Sequence, residues 1–474
     1  MESDLKKIFV REKSSIKEAM TVIDRGGIGM ALIVDASDKL LGIVTDGIIR
    51  RAILNGIDIE KQMIDSIMNK KPLTVHINMS DQQIIDAMIG KNVIGKVPVL
   101  DNQGKVVDLA MVPYASIPSS NQKNIPYIAR NSLLFFKKSS FTPKPVNKVL
   151  IIGGAGYLGS VLSRKLLDRN YNVRVFDKLI FGVEPIIDLL GNKNFELIKG
   201  DMCNITEVSD ALENVDAVIH LAGIVGDPAS SINPKKTVES NYIATKIIAE
   251  LCKYNQINRF IFSSSCSVYG ASDEIINEES YLNPLSLYAR SKIGSEKGVL
   301  ELVDNNFSPT ILRMGTLYGL SPRMRFDLVI NLLIAKALKE KSFTIFGGEQ
   351  WRPFIHVDDA AEAYIKVLET PIEIVKGEIF NLGDDRQNYK LKDIAHYIKE
   401  LIPETKLNFD ENAQDVRNYK VSFEKIRNAI KFESKKEIKD TISEIENVLK
   451  DNSMININDN YYNNYLKQLE ANNA

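Results

Sequence analysis

Residues 147–179 read NKVLIIGGAGYLGSVLSRKLLDRNYNVRVFDKL, and no other stretch limits the fold so tightly. An apolar run from Val149 to Ile152 meets Gly153, Gly156 and Gly159. Good helix formers follow to about Arg169, and a second apolar run, Val173 to Phe176, closes on Asp177. Strand, glycine turn, helix and strand make a βαβ unit, which commits the chain to a parallel sheet covered by helices. The spacing is GxxGxxG rather than GxGxxG. Small residues there let the backbone approach a pyrophosphate, and the helix N-terminus adds unpaired N–H donors and a favourable dipole. Asp177 stands where a carboxylate accepts from the adenosine ribose hydroxyls and disfavours a 2′-phosphate, so NAD is expected over NADP. A glycine-rich turn alone is a weak sign. Here the strand before it, the helix after it and the acid at the next strand end supply the context.

Two further strand ends follow on the same rhythm. IKGDM closes on Asp201 and Met202, and AVIHLAGIVGD reaches Leu221, Ala222 and Gly223. Ligands of open parallel sheets sit at the carboxyl ends of the strands, so these positions are expected near the cofactor. Next, RFIFSSSCSVYG (Arg259 to Gly270) runs a strand into Ser263, Ser264 and Ser265. Twenty-three residues after Ser265 comes LYARSK, with Tyr288 and Lys292 four apart. On a helix that spacing puts both on one face. A tyrosine hydroxyl ordinarily titrates near pH ~10; a neighbouring ammonium and a cationic nicotinamide ring are expected to lower that value. Tyr288 could then remove or return the proton of an alcohol while hydride moves to or from NAD, with Ser265 holding the same oxygen. A lone YxxxK is more often a solvated helix face. Its place behind a serine strand and a dinucleotide turn carries the argument.

With GGAGYLG, GDM, HLAG, SSSCSVYG, YARSK, LRMGTLYG, RPFIHVDDAA and FNLGD in this order, residues 147–450 resemble the extended short-chain dehydrogenase/reductase family. The likeness is to its NAD-dependent nucleotide-sugar epimerases and dehydratases. It implies an α/β, Rossmann-type doubly wound parallel sheet with a smaller C-terminal substrate-binding subdomain. By the resemblance Ser265, Tyr288 and Lys292 are catalytic; Tyr288 and Lys292 also bind the cofactor, Lys292 at the nicotinamide ribose. The cofactor cradle is then Gly153, Gly156, Tyr157, Leu158, Gly159, Asp177, Asp201, Met202, Leu221 and Ala222. Arg352 and Arg417 are placed on the substrate diphosphate, which suits arginine's planar fork, and Asn331 beside the substrate. Surface ion pairs or structural roles are the alternative for all three. Arg323 and Arg325, in GLSPRMRFDL, are reminiscent of a bacterial branch acting on sugar and heptose nucleotides; Trp351 belongs either to this rim or to the core.

In the family's 4,6-dehydratases the hydroxyl residue is followed by Asp and Glu, which eliminate water. Here Cys266 and Ser267 stand there. A thiol of pKa ~8.5 does not replace a carboxylic acid, so redox at an alcohol is expected without elimination. The expectation is an NAD-dependent nucleoside-diphosphate-sugar epimerase working by transient oxidation of a sugar hydroxyl, with C4 the expected position. The alternative is a nucleotide-sugar C4 dehydrogenase that releases a keto sugar. A third reading, an adenine-nucleotide-sensing regulator without turnover, is opposed by the intact Ser265, Tyr288 and Lys292.

The 474 residues exceed what this α/β body needs. In residues 1–115 a helix, strand, turn, strand pattern occurs twice, the second time after Ser80 as a helix cap. GIVTDGIIRRAILNG followed by IMNKKPLTV resembles tandem CBS-domain pairs of α+β type. Such pairs commonly bind adenosine nucleotides and regulate or dimerise an attached enzyme. Within the GxxTxxD pattern Gly42 and Thr45 fit, but Ile48 replaces the Asp, with Asp46 a possible substitute. Met111 and Tyr114 stand at the second repeat's Thr and Asp positions. A packing or dimerisation module therefore explains the residues at least as well as a nucleotide site. Proline and polar residues in 116–146 read as a linker with one apolar anchor, Leu133 to Phe136, and the Asn-rich tail 451–474 is expected to fray unless Tyr461, Tyr462 and Tyr465 dock it. Net charge of −1 gives no electrostatic case for nucleic acid or an anionic membrane. No apolar run approaches the ~20 residues needed to span a bilayer. The start, MESDLKKIFVREK, has no apolar signal region, and the cysteines Cys203, Cys252 and Cys266 form no CxxC pair, so a reducing cytoplasmic setting is expected. No metal site is expected from four isolated histidines. A homodimer or homotetramer is the expected assembly, by resemblance.

Overall fold

The computed structural model describes residues 5–26, 30–45, 57–59, 61–80, 95–112, 145–410, 417–451 and 455–473, with positions 48, 49, 52, 83, 84 and 87. The chain divides into two compact units, Met1–Phe141 and Thr142–Ala474. Among the described residues no helix is long and apolar enough to cross a membrane. The expected linker anchor at Leu133 to Phe136 lies outside them.

In the first unit the repeat is visible down to its caps. Ser15 and Glu18 exchange hydrogen bonds between side chain and backbone at 2.8 and 3.1 Å, and Ser80 and Gln83 do the same at 2.8 and 3.3 Å. These are reciprocal capping boxes, each satisfying two orphan helix donors. Each half also carries a short parallel strand and an antiparallel hairpin: Phe9–Arg11 with Met30–Val34 and Leu40–Thr45, then Val75–His76 with Gly95–Leu100 and Val106–Val112. The hairpins meet where Leu40 N donates to Gly104 O and Val106 N donates to Asp38 O. Ile8, Met30, Leu32 and Val34 share one apolar cluster with Val106 and Leu109, so each half completes the other's core.

The second unit is built on seven parallel strands: β1 (Lys148–Ile152), β2 (Asn172–Asp177), β3 (Phe195–Lys199), β4 (Ala217–His220), β5 (Arg259–Ser265), β6 (Ser308–Met314) and β7 (Ile379–Leu382). Their order across the sheet is β7-β6-β5-β4-β1-β2-β3. Runs such as VLII and AVIH are buried on both faces because helices cover the sheet, which is why they read as continuous rather than alternating. Three helices matter for the site: α1 (Tyr157–Asp168), α2 (Thr245–Tyr254) and α3 (Leu287–Leu300). Strand order reverses between β1 and β4, and their carboxyl ends open the crevice where such sheets take ligands. The smaller subdomain is made of short strand sets. Trp351–His356 lies between Thr316–Tyr318 and Asn388–Lys390, while Asn418–Val421 pairs with Ala271–Ile276.

The tail corrects one expectation. Rather than fraying, it ends in a helix, Asn464–Asn473, and docks. Phe326 N donates to Tyr462 O at 3.0 Å, their rings stand 5.3 Å apart edge to face, and Asn464 N donates to Asp327 Oδ2 at 3.1 Å. Asparagine-rich composition argued for disorder, but the aromatic contacts and satisfied backbone groups outweigh it.

Candidate active site

The glycine turn is shaped by close approach. Gly153 has φ +87° and lies so near β4 that a Cβ would stand 2.8 Å from Ala222 N. At Gly159 a Cβ would stand 2.3 Å from the Gly153 carbonyl oxygen. Gly156 caps α1, and a Cβ there would meet only that same oxygen, at 3.2 Å, among the described residues. Gly153 and Gly159 thus fold the turn, and Gly156 keeps its mouth open. Asp177 stands beside it: Oδ2 accepts from Ala155 N at 3.0 Å and Oδ1 from Leu179 N at 2.8 Å. Burial pushes this carboxyl up, against those two donations. Leu221 N and Ala222 N both donate to Ile152 O at 2.9 Å, Asp201 pairs with Lys178 at 2.8 Å, and Met202 packs against the apolar cluster that includes Ile152 and Phe176. Tyr157 and Leu158 turn their side chains inward, so what they offer a ligand is backbone at the head of α1. A cradle that a Cβ would fill, an open helix N-terminus and an acid at the next strand end together fit a dinucleotide.

The three serines ending β5 do three different things. Ser263 accepts the Lys292 ammonium on its carbonyl at 2.7 Å. Ser264 donates to Glu296, which is also held by Arg313 at 3.0 and 2.7 Å in a buried bidentate pair. Ser265 presents its hydroxyl to Tyr288 and accepts from Ser267 N at 3.2 Å. Tyr288, Lys292 and Glu296 recur every fourth residue, and all three are buried on one face of α3. Gly294 and Gly298 let α3 approach Tyr242 and Lys246 closely. Ser286 starts the helix by accepting from Ala289 N at 3.1 Å.

Electrostatics depart from expectation here. Tyr288 is 8% exposed, and burial pushes its phenol up to about 12, with Ser265 pulling it down and Asp227 pushing it further up. Lys292 is 3% exposed, and burial pushes its ammonium down to about 8, with Glu296 opposing. The expected depression of the tyrosine by its lysine neighbour is therefore not what the protein alone produces. Desolvation of both groups is the larger effect.

Arg352 and Arg417, both expected at a substrate diphosphate, come together, since Arg352 donates to the carbonyls of Trp351 and Arg417. Arg417 pairs with Asp227 at 3.0 Å, and Asp227 accepts from Ser286 Oγ at 2.6 Å. A chain of contacts therefore links Arg417 to the cap of the helix that carries Tyr288. Asn331 is elsewhere. It is fully buried, its Oδ1 accepting from Gly319 N at 2.9 Å and its Nδ2 donating to Tyr157 OH at 3.1 Å and Arg325 O at 3.0 Å. Both ends of the amide are engaged inside the protein. The expected substrate contact gives way to a brace between the 319–325 loop and α1.

A family profile described as NAD dependent epimerase/dehydratase family matches residues 149–383, and a CBS-domain profile matches residues 3–55 and 64–109. An "Uncharacterized UDP-glucose epimerase YtcB" of Bacillus subtilis is 34% identical over 52% of this chain and 80% of its own length. The chain belongs to the NAD dependent epimerase/dehydratase family. A dTDP-D-glucose 4,6-dehydratase of Dictyostelium discoideum is 31% identical, and the chain spans 59% of its length. Among solved structures, UDP-glucuronic acid 4-epimerase from Bacillus cereus, in complex with UDP-glucuronic acid and NAD, is 28% identical over 64% of this chain and 99% of that one, with a TM-score of 0.58. As a family member the protein is an NAD-dependent enzyme of the epimerase and dehydratase kind, and the Gly153–Asp177 cradle fits NAD.

Several residues of this family site were not read from the sequence. Asp227 and Glu296 look like ordinary charged positions there. Glu296 had one signal, its place four residues beyond Lys292, and Ser286 had another, a cap residue ahead of a helix. In the CBS pair, a Cβ at Gly42 would stand 2.7 Å from Asn69 O, so backbone approach demands that glycine. Asp46 and Tyr114 lie outside the described residues, as does the Met111 side chain.

Proposed function

We propose that the protein is a nucleoside-diphosphate-sugar epimerase that inverts a sugar carbinol, C4, by transient oxidation. The observation that carries this reading is the pairing of a complete redox set, Ser265, Tyr288 and Lys292, with non-carboxylate neighbours. Cys266 is 1% exposed and donates its thiol to Arg313 O at 3.1 Å, while burial pushes its pKa well above the ordinary thiol range. It has neither the acidity nor the orientation for elimination. Asp227, a carboxylate near Tyr288, is engaged by Arg417 and Ser286.

In this reading Ser265 holds the sugar oxygen and Tyr288 accepts its proton as the carbinol C–H bond breaks. NAD, when bound, supplies the hydride acceptor and returns the same hydride. Tyr288 then gives its proton back to the oxygen after the keto sugar has presented its other face. Lys292, fixed by Ser263, keeps a positive charge near the Tyr288 ring and so favours the phenolate that takes the alcohol proton and that forms again when the proton is returned. Arg352 and Arg417 take the diphosphate. Two relatives, an uncharacterized UDP-glucose epimerase and a UDP-glucuronic acid 4-epimerase, support UDP-sugars as the first substrates to try.

The test is incubation of purified protein with UDP-, GDP-, CDP- and dTDP-sugars, following NADH absorbance and proton NMR together. Inverted sugar without net NADH is the expected result. Stoichiometric NADH with released keto sugar would replace the epimerase by a dehydrogenase.

A further inference from the structure

The carboxyl ends of β2, β1 and β4 stand side by side in that order, and the glycine turn leaves the middle one. The C-terminal tail is anchored on both sides of that turn. One anchorage is the 319–327 loop, itself fastened to the first turn of α1: Tyr157 OH donates to Gly319 O at 2.5 Å and Ser321 Oγ to Tyr157 O at 2.6 Å. Arg323 of this loop stacks on Phe181, in the segment leaving β2, with the guanidinium carbon 3.6 Å from the ring centre. The tail docks here through Phe326 N to Tyr462 O at 3.0 Å and Asn464 N to Asp327 Oδ2 at 3.1 Å. Burial pushes the adjacent Tyr461 phenol up, with Glu184, also beyond β2, adding to the rise and Arg323 opposing it.

The other anchorage is the short helix Asp227–Ile232, which follows β4. The tail helix Asn464–Asn473 packs against it, and Asn233 Nδ2 donates to Asn472 Oδ1 at 3.0 Å. Neighbouring strands lie ~4.8 Å apart, so β2 to β4 spans roughly 10 Å, and a ten-residue helix is about 15 Å long. The tail helix is therefore long enough to bridge the two walls. Between them Gly153, Gly156 and residues 221–226 are only half-buried, so the crevice is not filled. Among the described residues of the tail helix none is fully buried, and Asn460 Nδ2 donates to Glu470, tying the preceding turn to it. Such a lightly packed segment can lift as a unit at small cost.

We propose that residues 460–473 are a strap that closes across the glycine turn over the bound dinucleotide and must lift for it to enter or leave. An epimerase returns its hydride to the same cofactor and gains nothing by exchanging it, so a strap that retains NAD suits that chemistry. The inference rests on NAD occupying the Gly153–Asp177 site.

The experiment loads full-length wild type, Asn464→Pro and Tyr462→Ala with labelled NAD and follows its release into excess unlabelled NAD. Asn464 is the first residue of the tail helix, where proline is tolerated, so Asn464→Pro removes the donor to Asp327 and leaves the helix intact. Tyr462→Ala removes the ring that meets Phe326 edge to face. Both variants are expected to release NAD at least about tenfold faster than wild type. In wild type, tryptic cleavage after Lys467 should slow when NAD is bound, a measurement that decides the matter if neither variant folds. Equal release rates in wild type and variants would overturn the proposal, as would cleavage at Lys467 that NAD leaves unchanged. Failure of wild type itself to bind NAD would instead sink the cofactor reading of the glycine turn, and this inference with it.

Discussion

Lys292 Nζ donates to the carbonyl oxygen of Ser263 at 2.7 Å, two residues before Ser265 on the same strand. The ammonium also lies 4.8 Å from the centre of the Phe262 ring. It is held in place at a cost, because burial lowers its pKa from 10.5 to about 8. The folded state binds fewer protons than the unfolded state across that window, so this group's contribution to stability rises as pH climbs from about 8 to 10.5 and is at its worst below 8. Lys292→Met is therefore expected to inactivate the enzyme and yet stabilise it at neutral pH, by at most on the order of 3 kcal/mol. Denaturant unfolding of both proteins across the window checks the sign: the advantage of the variant should shrink as pH rises. An advantage that grows would be the wrong sign.

Tyr288→Phe is expected to lower turnover by roughly 10²–10⁴-fold while leaving NAD affinity near wild type, since the Gly153–Asp177 cradle stays intact. Asp227→Asn tests the electrostatics of the same group. Asp227 raises the Tyr288 pKa, so removing its charge should shift the acid limb of the kcat/KM profile to lower pH. The loss of its pair with Arg417 should also change KM for the nucleotide sugar. An unmoved acid limb would mean that Tyr288 is not the titrating base.

The glycine turn, the serine strand and the YxxxK helix were legible because each is a local pattern that keeps its meaning wherever the chain goes. Val149 to Ile152, Gly153 and Asp177 lie within thirty residues: the two strands pair, Gly153 N donates to Phe176 O, and Asp177 accepts from Ala155 N. The division of labour among Ser263, Ser264 and Ser265 was not legible, because it depends on what α3 and β6 bring to each serine. Arg313 meets Ser264 across the sheet, and Glu296 arrives from the helix. Asn331 misled for the same reason, since its partners Gly319 and Tyr157 are fixed by tertiary packing. The upward push that burial gives Tyr288 was not legible either, because burial of a tyrosine cannot be read from its neighbours in sequence.

Cys266 gives a test of the non-elimination chemistry. Its thiol is buried and directed at Arg313 O, so alkylation of the folded protein should reach the exposed Cys203 and spare Cys266 and Cys252. Cys266→Ser should keep turnover within about threefold, the hydroxyl donating to the same carbonyl, a change worth well under 1.4 kcal/mol. Mass spectrometry of labelled peptides and a rate measurement suffice. A large loss in Cys266→Ser would reinstate position 266 as an acid or base.

Glu296 carries the largest structural stake in the site. It binds Arg313 through both oxygens and accepts from Ser264, and Arg313 in turn donates to Tyr269 OH at 2.9 Å, which donates to Asn381 at 2.7 Å. Glu296→Gln leaves the Arg313 charge buried without a counterion and should cost roughly 3–5 kcal/mol. Replacing both partners with apolar residues of similar volume, Glu296→Leu with Arg313→Met, should cost less than the single change, because no lone charge remains. Glu296 also opposes the fall in the Lys292 pKa, so Glu296→Gln should lower that pKa further. Loss of activity in Glu296→Gln should then begin at lower pH than in wild type, where the ammonium is held to about 8. Should the double variant prove the less stable of the two, the network would owe its worth to shape and hydrogen bonding rather than to charge pairing.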